Sequence, residues 1–293
     1  MDLLNGPILV IGATGQQGGA VARELLRHGF IVRALTRDVT QPAADVLRRL
    51  GAQVIHGDLD QIESLEHAMH GCRGVFSVQN FWKTGAELEI EQGIRVAEVV
   101  HTLNIPFMVY SSVGGAERSS NIPHFETKFV IEGRISELRL KAAVLRPVWF
   151  MENFFRGEML EGIRNGMLAI PLPPDVPLQM IAVDDIGFFA AQAFKHPDEH
   201  TGKALEIAGD ELTMPEVAKL LSRRLEHPVD YQQVPMDQVR ARSEENARMF
   251  EWFIKSGYQA DIEHLRVIHP ALLRFEQWLN VVEVPEASAV SVY

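Results

Sequence analysis

A β-branched run that stops abruptly in regularly spaced glycines constrains this chain more than anything else in it. Residues 7–11, Pro-Ile-Leu-Val-Ile, lead straight into Gly12-Ala13-Thr14-Gly15-Gln16-Gln17-Gly18. An apolar run this short, with no polar alternation, reads as a strand buried on both faces. From Gln16 onward, Val21, Leu25 and Leu26 fall at helical spacing, and His28-Gly29 supplies the stop. Strand, glycine turn and helix in that order make a phosphate cradle. Gly12 permits the tight turn, Gly15 lets backbone approach a pyrophosphate, and Gly18 lets the helix sit close to the sheet. Thr14, Gln16 and Gln17 complete the candidate cradle.

The rest of the first half repeats the same rhythm. Strands are expected at 31–35, 53–56, 74–78, 107–111 and 142–145, with helices at 43–50, 62–70, 87–103 and 125–138 between them. This alternation predicts an α/β fold, a Rossmann doubly wound parallel sheet whose ligands gather at the carboxyl ends of the strands. After Pro147 the pattern changes. Four prolines within 171–177 mark a loop, and a strand at 180–183, a helix to 194 and a strand at 203–208 follow. Thr213, three residues before Glu216, is a good helix cap. The expected division is a dinucleotide-binding domain at 1–153 and a smaller, mostly helical substrate or partner lobe at 154–293. Segments around 180–208 are expected to return to the first core.

Charge and cysteine usage narrow the partners. Lys and Arg number 28 against 39 Asp and Glu, a net −11, which argues against a broad nucleic-acid or anionic-lipid footprint. The single cysteine, Cys72, excludes an intrachain disulfide and fits a reducing compartment. No signal peptide and no apolar run long enough for a membrane helix is visible, so the expected address is the cytoplasm. His67-x-x-His70-x-Cys72 lacks the completed ligand set of a metal site, and no metal is expected.

Cofactor choice is read at the end of the second strand, in Thr36-Arg37-Asp38. An acidic residue there suits a ribose 2′-hydroxyl, and an arginine suits a 2′-phosphate. With Arg37 first, NADP(H) is the preferred cofactor and NAD(H) the alternative. Asp58 is placed either to accept the adenine amino group, beside Leu59, or to cap the next helix. Gln79 and Asn80 are expected under the ribose, and Pro147 beside the nicotinamide.

The glycine loop, Thr36-Arg37, Gly57-Asp58, the run Leu-Arg-Pro-Val-Trp-Phe-Met-Glu-Asn-Phe at 145–154, Val-Asp-Asp-Ile-Gly at 183–187 and Arg-Phe-Glu-Gln-Trp-Leu at 274–279 together resemble the NmrA-like proteins. These are an atypical branch of the short-chain dehydrogenase/reductase superfamily. The resemblance implies the fold and the dinucleotide. It implies one of two functions, reduction of quinones, dyes or phenolics, or non-catalytic sensing of NADP(H) on behalf of a regulatory protein. Most short-chain dehydrogenases carry Tyr-x-x-x-Lys on one helix, the tyrosine as proton donor. Here His124-x-x-x-Lys128 stands in that place. His124 is a candidate acid or a bystander ahead of the helix, and the resemblance gives Lys128 a role in catalysis or ribose binding. Ser111 or Ser112 is a candidate for polarising a substrate carbonyl, and Asn153 and Phe154 for beginning a substrate wall. The reading favoured is an NAD(P)H-dependent reductase of a small quinone-type or aromatic compound.

Overall fold

A computed structural model describes residues 6–285, and the chain forms two compact units. Of these residues the first takes 6–119, 123–146 and 183–205, and the second takes 120–122, 147–182 and 206–285. In chain order come β1 (Ile8–Val10), α1 (Gln16–Arg27), β2 (Val32–Thr36), α2 (Pro42–Arg49), β3 (Gln53–His56), α3 (Ile62–Met69), β4 (Gly74–Ser77), α4 (Phe81–Thr102), β5 (Phe107–Ser111), α5 (Pro123–Glu137) and β6 (Ala142–Pro147). There follow β7 (Trp149–Phe150), α6 (Gly157–Arg164), β8 (Met167–Ile170), β9 (Pro177–Ile181), α7 (Val183–Lys195), α8 (Pro197–His200), β10 (Ala204–Ile207) and β11 (Asp210–Thr213). The last elements are α9 (Met214–Leu225), β12 (Asp230–Gln233), α10 (Met236–Arg242), α11 (Glu244–Lys255), α12 (Ile262–Ile268) and α13 (Phe275–Val281).

The first unit is built on a Rossmann sheet of order β10-β6-β5-β4-β1-β2-β3, in which β1 to β6 run parallel. Strands β1, β4 and β5 are buried along their whole length, as their unbroken apolar runs require. β3 lies at the edge, and its polar ends, Gln53 and His56, are exposed. Strand order reverses between β1 and β4, so the crevice at their carboxyl ends is the switch point where such sheets hold ligands. α1 and α7 pack closely because Gly187 has no side chain; a Cβ there would meet the Ala20 carbonyl oxygen at 2.8 Å. α4 and α5 pack in the same way, with Gly93 facing Ile131. α4 also starts earlier than its apolar spacing indicates. Its first turn, 81–84, is set off by Gly85 at φ 78°, a left-handed break that costs glycine little.

The second unit is largely helical, with two small sheets that the sequence reading did not anticipate. β11, β9 and β7 form one, and β12 pairs with β8 in parallel as the other. β8 alternates exposed and buried residues, but over four positions that pattern is too short to stand out. β9 begins inside the proline-rich segment, at Pro177, a strand-end position where a missing N–H is tolerated. The helix expected from 154 is a 3₁₀ turn over Met151–Phe155, followed after Arg156 by α6. At α9 the Thr213 cap forms: Glu216 accepts both the backbone N–H of Thr213, at 2.9 Å, and its hydroxyl, at 2.8 Å. Among the described residues no helix is long and apolar enough to cross a membrane.

Candidate dinucleotide site

The glycine loop closes on itself before α1 begins. Gly12 sits at φ 66°, and the Gly15 N–H donates to its carbonyl at 2.9 Å. A Cβ at Gly18 would stand 2.3 Å from that same oxygen, so the first turn of α1 rests directly on the loop. No side chain caps α1, and its first turn holds no acidic residue. The exposed N–H groups and the positive end of the helix dipole therefore meet no competing carboxylate there. A pyrophosphate fits this cradle. Thr14, Gln16 and Gln17 are half-buried around it, and the Gln17 side-chain carbonyl accepts the Ser111 hydroxyl at 2.6 Å.

A second loop, after β2, is tied to the first by a residue that the sequence did not single out. The Gln41 amide donates to Thr36 Oγ1 at 2.7 Å, to the Asp38 carbonyl at 3.0 Å and, more weakly, toward Thr14 Oγ1 at 3.3 Å. Asp38 turns into its own loop, where Oδ1 accepts the Thr40 hydroxyl at 2.6 Å and the Thr40 N–H at 2.8 Å. Those two donors hold its carboxyl below the ordinary range. Arg37 is exposed and makes no ion pair or hydrogen bond with the described residues. Of the two adjacent chemistries, the cation is the one left for a ligand. Beyond β3, Asp58 does not cap α3, whose N-cap is Gln61; Asp58 Oδ1 accepts the Asp60 N–H at 3.1 Å instead. Leu59 is half-buried beside it, its carbonyl held by Arg95 at 2.6 Å.

The ends of β4, β5 and β6 bring the remaining candidates to the same rim. Gln79 is buried and donates to Ser77 Oγ at 2.9 Å, while its own carbonyl oxygen has no partner. Asn80 is exposed at the start of α4, and Pro147 ends β6. Ser111 is fully buried and committed to Gln17, whereas the buried Ser112 hydroxyl has no partner. An orphaned buried hydroxyl or carbonyl costs about 1–3 kcal/mol, so Gln79 and Ser112 are the two of these candidates with a polar group left for a ligand. Asn153 and Phe154 belong to the second unit. Asn153 is half-buried there, and Phe154 is core, its ring 5.3 Å from that of Phe275.

α5 carries the pair His124 and Lys128. His124 is a buried member of an aromatic cluster rather than a solvated residue ahead of the helix. The rings of Trp82, Phe81 and Phe125 lie 5.0, 5.6 and 4.9 Å away, and Trp82 itself is 64% exposed. Lys128 Nζ pairs with Glu89 Oε1 at 2.8 Å, and the Thr127 hydroxyl donates to the other Glu89 oxygen. Glu89 had no place in the sequence reading. It lies on the apolar stripe of α4 with Gly93, Val96 and Val100, and a carboxylate on a buried stripe is the signal that marks it.

The model for the NmrA-like family matches residues 5–281. The chain belongs to the NmrA-like family. An NmrA-like family domain-containing protein of Dictyostelium discoideum is 30% identical over 267 residues, which cover 85% of this chain and 88% of that one. Among solved structures, the negative transcriptional regulator NmrA in complex with NADP superposes with a TM-score of 0.81 at 20% identity, over 95% of each chain. The triphenylmethane reductase of Citrobacter sp. complexed with NADP(H) superposes with a TM-score of 0.78 at 21% identity, over 94% of this chain and 98% of that one. At such identities the two structures establish the fold. The NmrA-like chain thus shares its architecture with both a regulator and a reductase.

Proposed function

We propose that this chain is an NADPH-dependent reductase of a small quinone-type or aromatic acceptor. The reading is supported by the Trp82 ring, exposed and 5.0 Å from that of His124, with Lys128 one turn further along α5, on helices that follow β4 and β5 as α1 and its glycine loop follow β1. When bound, the nicotinamide supplies the hydride. The protein's part is to position and to exclude water. The α1 N-terminus receives the pyrophosphate, and Arg37 grips the 2′-phosphate, giving NADP(H) preference over NAD(H). Gln79 and Lys128 meet the ribose side of the cofactor. The Trp82 indole, an electron-rich face, offers a stacking surface to an electron-poor planar acceptor, and Ser112 a hydroxyl to its oxygen. A quinone demands little acid chemistry, which suits a site with histidine where the tyrosine usually stands. Its place of action is the cytoplasm.

A second reading, a non-catalytic NADP(H) sensor that works through a regulatory protein, is favoured by that same missing tyrosine and by the likeness to NmrA. NADPH oxidation against a panel of quinones and triarylmethane dyes, with calorimetry of NADPH binding on the same material, separates the two. Turnover that disappears in Lys128→Ala supports the reductase. Tight NADPH binding without turnover of any acceptor gives the sensor.

A further inference from the structure

Glu89 is fully buried, on a helix other than the one that carries Lys128, and both of its oxygens are engaged by α5. A carboxylate withdrawn from water is costly unless its charge is paired and its lone pairs are satisfied. Here the pairing is with the candidate site lysine itself, whose side chain is 13% exposed. An ammonium has three N–H donors on a flexible four-carbon stem. One donor goes to Glu89, and the Thr127 hydroxyl fixes the carboxylate from the other side. The remaining two donors are thereby aimed from a stem that would otherwise sample many rotamers.

We propose that Glu89 is a positioning residue for Lys128, fixing from α4 the direction in which the ammonium presents its free N–H groups to the cofactor. The proposal rests on the reductase reading, in which Lys128 meets cofactor or substrate. It assigns to two helices the arrangement that Tyr-x-x-x-Lys places on one. It also explains the close α4–α5 approach at Gly93, one turn beyond Glu89, because the pair spans that helix interface.

Glu89→Gln keeps the shape of the side chain, removes the charge and leaves one acceptor oxygen for the two donors, Thr127 and Lys128, so the fold should survive; thermal melting checks this. Two readouts then test the proposal in the full-length protein. The first is acetylation of Lys128 by an N-hydroxysuccinimide ester, without cofactor, followed by peptide mass spectrometry. Glu89→Gln should speed it at least about fivefold, because the side chain freed from Glu89 reaches solvent and can present its amine form to the ester. The second is NADPH affinity and turnover in a cycle with Lys128→Met. Glu89→Gln should weaken NADPH about tenfold in the wild-type background and leave it unchanged in the Lys128→Met background. An unchanged acetylation rate, or an equal loss in both backgrounds, would overturn the positioning role and leave Glu89 as a packing residue. Should Lys128→Met itself retain wild-type affinity and turnover, the role of Lys128 in the reductase reading falls, and this proposal with it.

Discussion

Replacing Gly93 by alanine probes the helix contact across which Glu89 reaches Lys128. A Cβ there would stand 2.4 Å from Ile131 Cδ1, 2.6 Å from Cγ1 and 2.9 Å from Cγ2. Ordinary contact begins near 3.4 Å, so Ile131 or all of α5 must move by about 1 Å. Ile131 is fully buried and β-branched, and rotating χ1 exchanges one clashing atom for another. Overpacking of this kind costs about 1–3 kcal/mol, of which helical alanine returns about 1, leaving a net loss of roughly 0–2 kcal/mol. The effect on the site should exceed the effect on stability. A 1 Å separation of the helices would carry the 2.8 Å Glu89–Lys128 contact outside hydrogen-bonding range. Ile131→Ala alone should cost about 2–5 kcal/mol, yet the double variant should be about 1–3 kcal/mol more stable than the sum of the two, because the new methyl enters the vacated space. Gly133→Ala on the same helix, where a Cβ meets nothing within 4 Å, should stabilise by about 0.5–1 kcal/mol. Urea unfolding by linear extrapolation measures all four, and NADPH calorimetry follows the site. An additive double variant, or a Gly93→Ala as stabilising as Gly133→Ala, would refute the argument.

Arg37→Ala should weaken NADPH binding by about ten- to a hundredfold and NADH binding hardly at all, since only NADPH carries the 2′-phosphate that a charge-assisted bond would grip; equal losses in calorimetry would remove the phosphate contact. Glu216 caps α9 with its carboxyl held below the usual range by the Thr213 N–H and hydroxyl. A depressed carboxyl stabilises the fold fully above its unfolded pKa, and the contribution is lost as pH falls through the folded one. Glu216→Gln should therefore lower the melting temperature at neutral pH and converge on wild type under acid conditions, below about pH 4.5. A gap that stays constant into acid would show that charge has no part in this cap.

Much of the first unit was legible because it is written in local pattern. Each buried parallel strand is a continuous apolar run, each helix a periodic one, and the glycine loop has fixed spacing. The small strands of the second unit carry no such mark. Trp149–Phe150 spans two residues, and Met167–Ile170 four. Site residues divided along the same line. The loop glycines and Arg37 announce themselves by position in a motif, whereas Gln41 acts on Thr14, twenty-seven residues back, and Glu89 on Lys128, thirty-nine residues on. Such pairings arise only when segments distant in sequence meet. His124 shows the converse, since a histidine at a helix start reads as solvated until neighbouring rings cover it.

The order in which the polypeptide supplies the first unit has a consequence for its birth. Six parallel strands are complete once residue 147 has been made, but α7 and β10 are still to come, after residues 147–182 that belong elsewhere. α7 is the helix seated on α1 through Gly187 and Ala20, and Asp184 at its start pairs with Arg23 at 2.7 Å. Until α7, which ends at Lys195, has left the ribosome, the face of α1 that it will cover stays exposed. The nascent nucleotide-binding half is thus held unfinished, with apolar surface open to chaperones, until residues 147–182 of the other unit have emerged ahead of α7. A message truncated anywhere before that point would yield an aggregation-prone fragment and no smaller working domain.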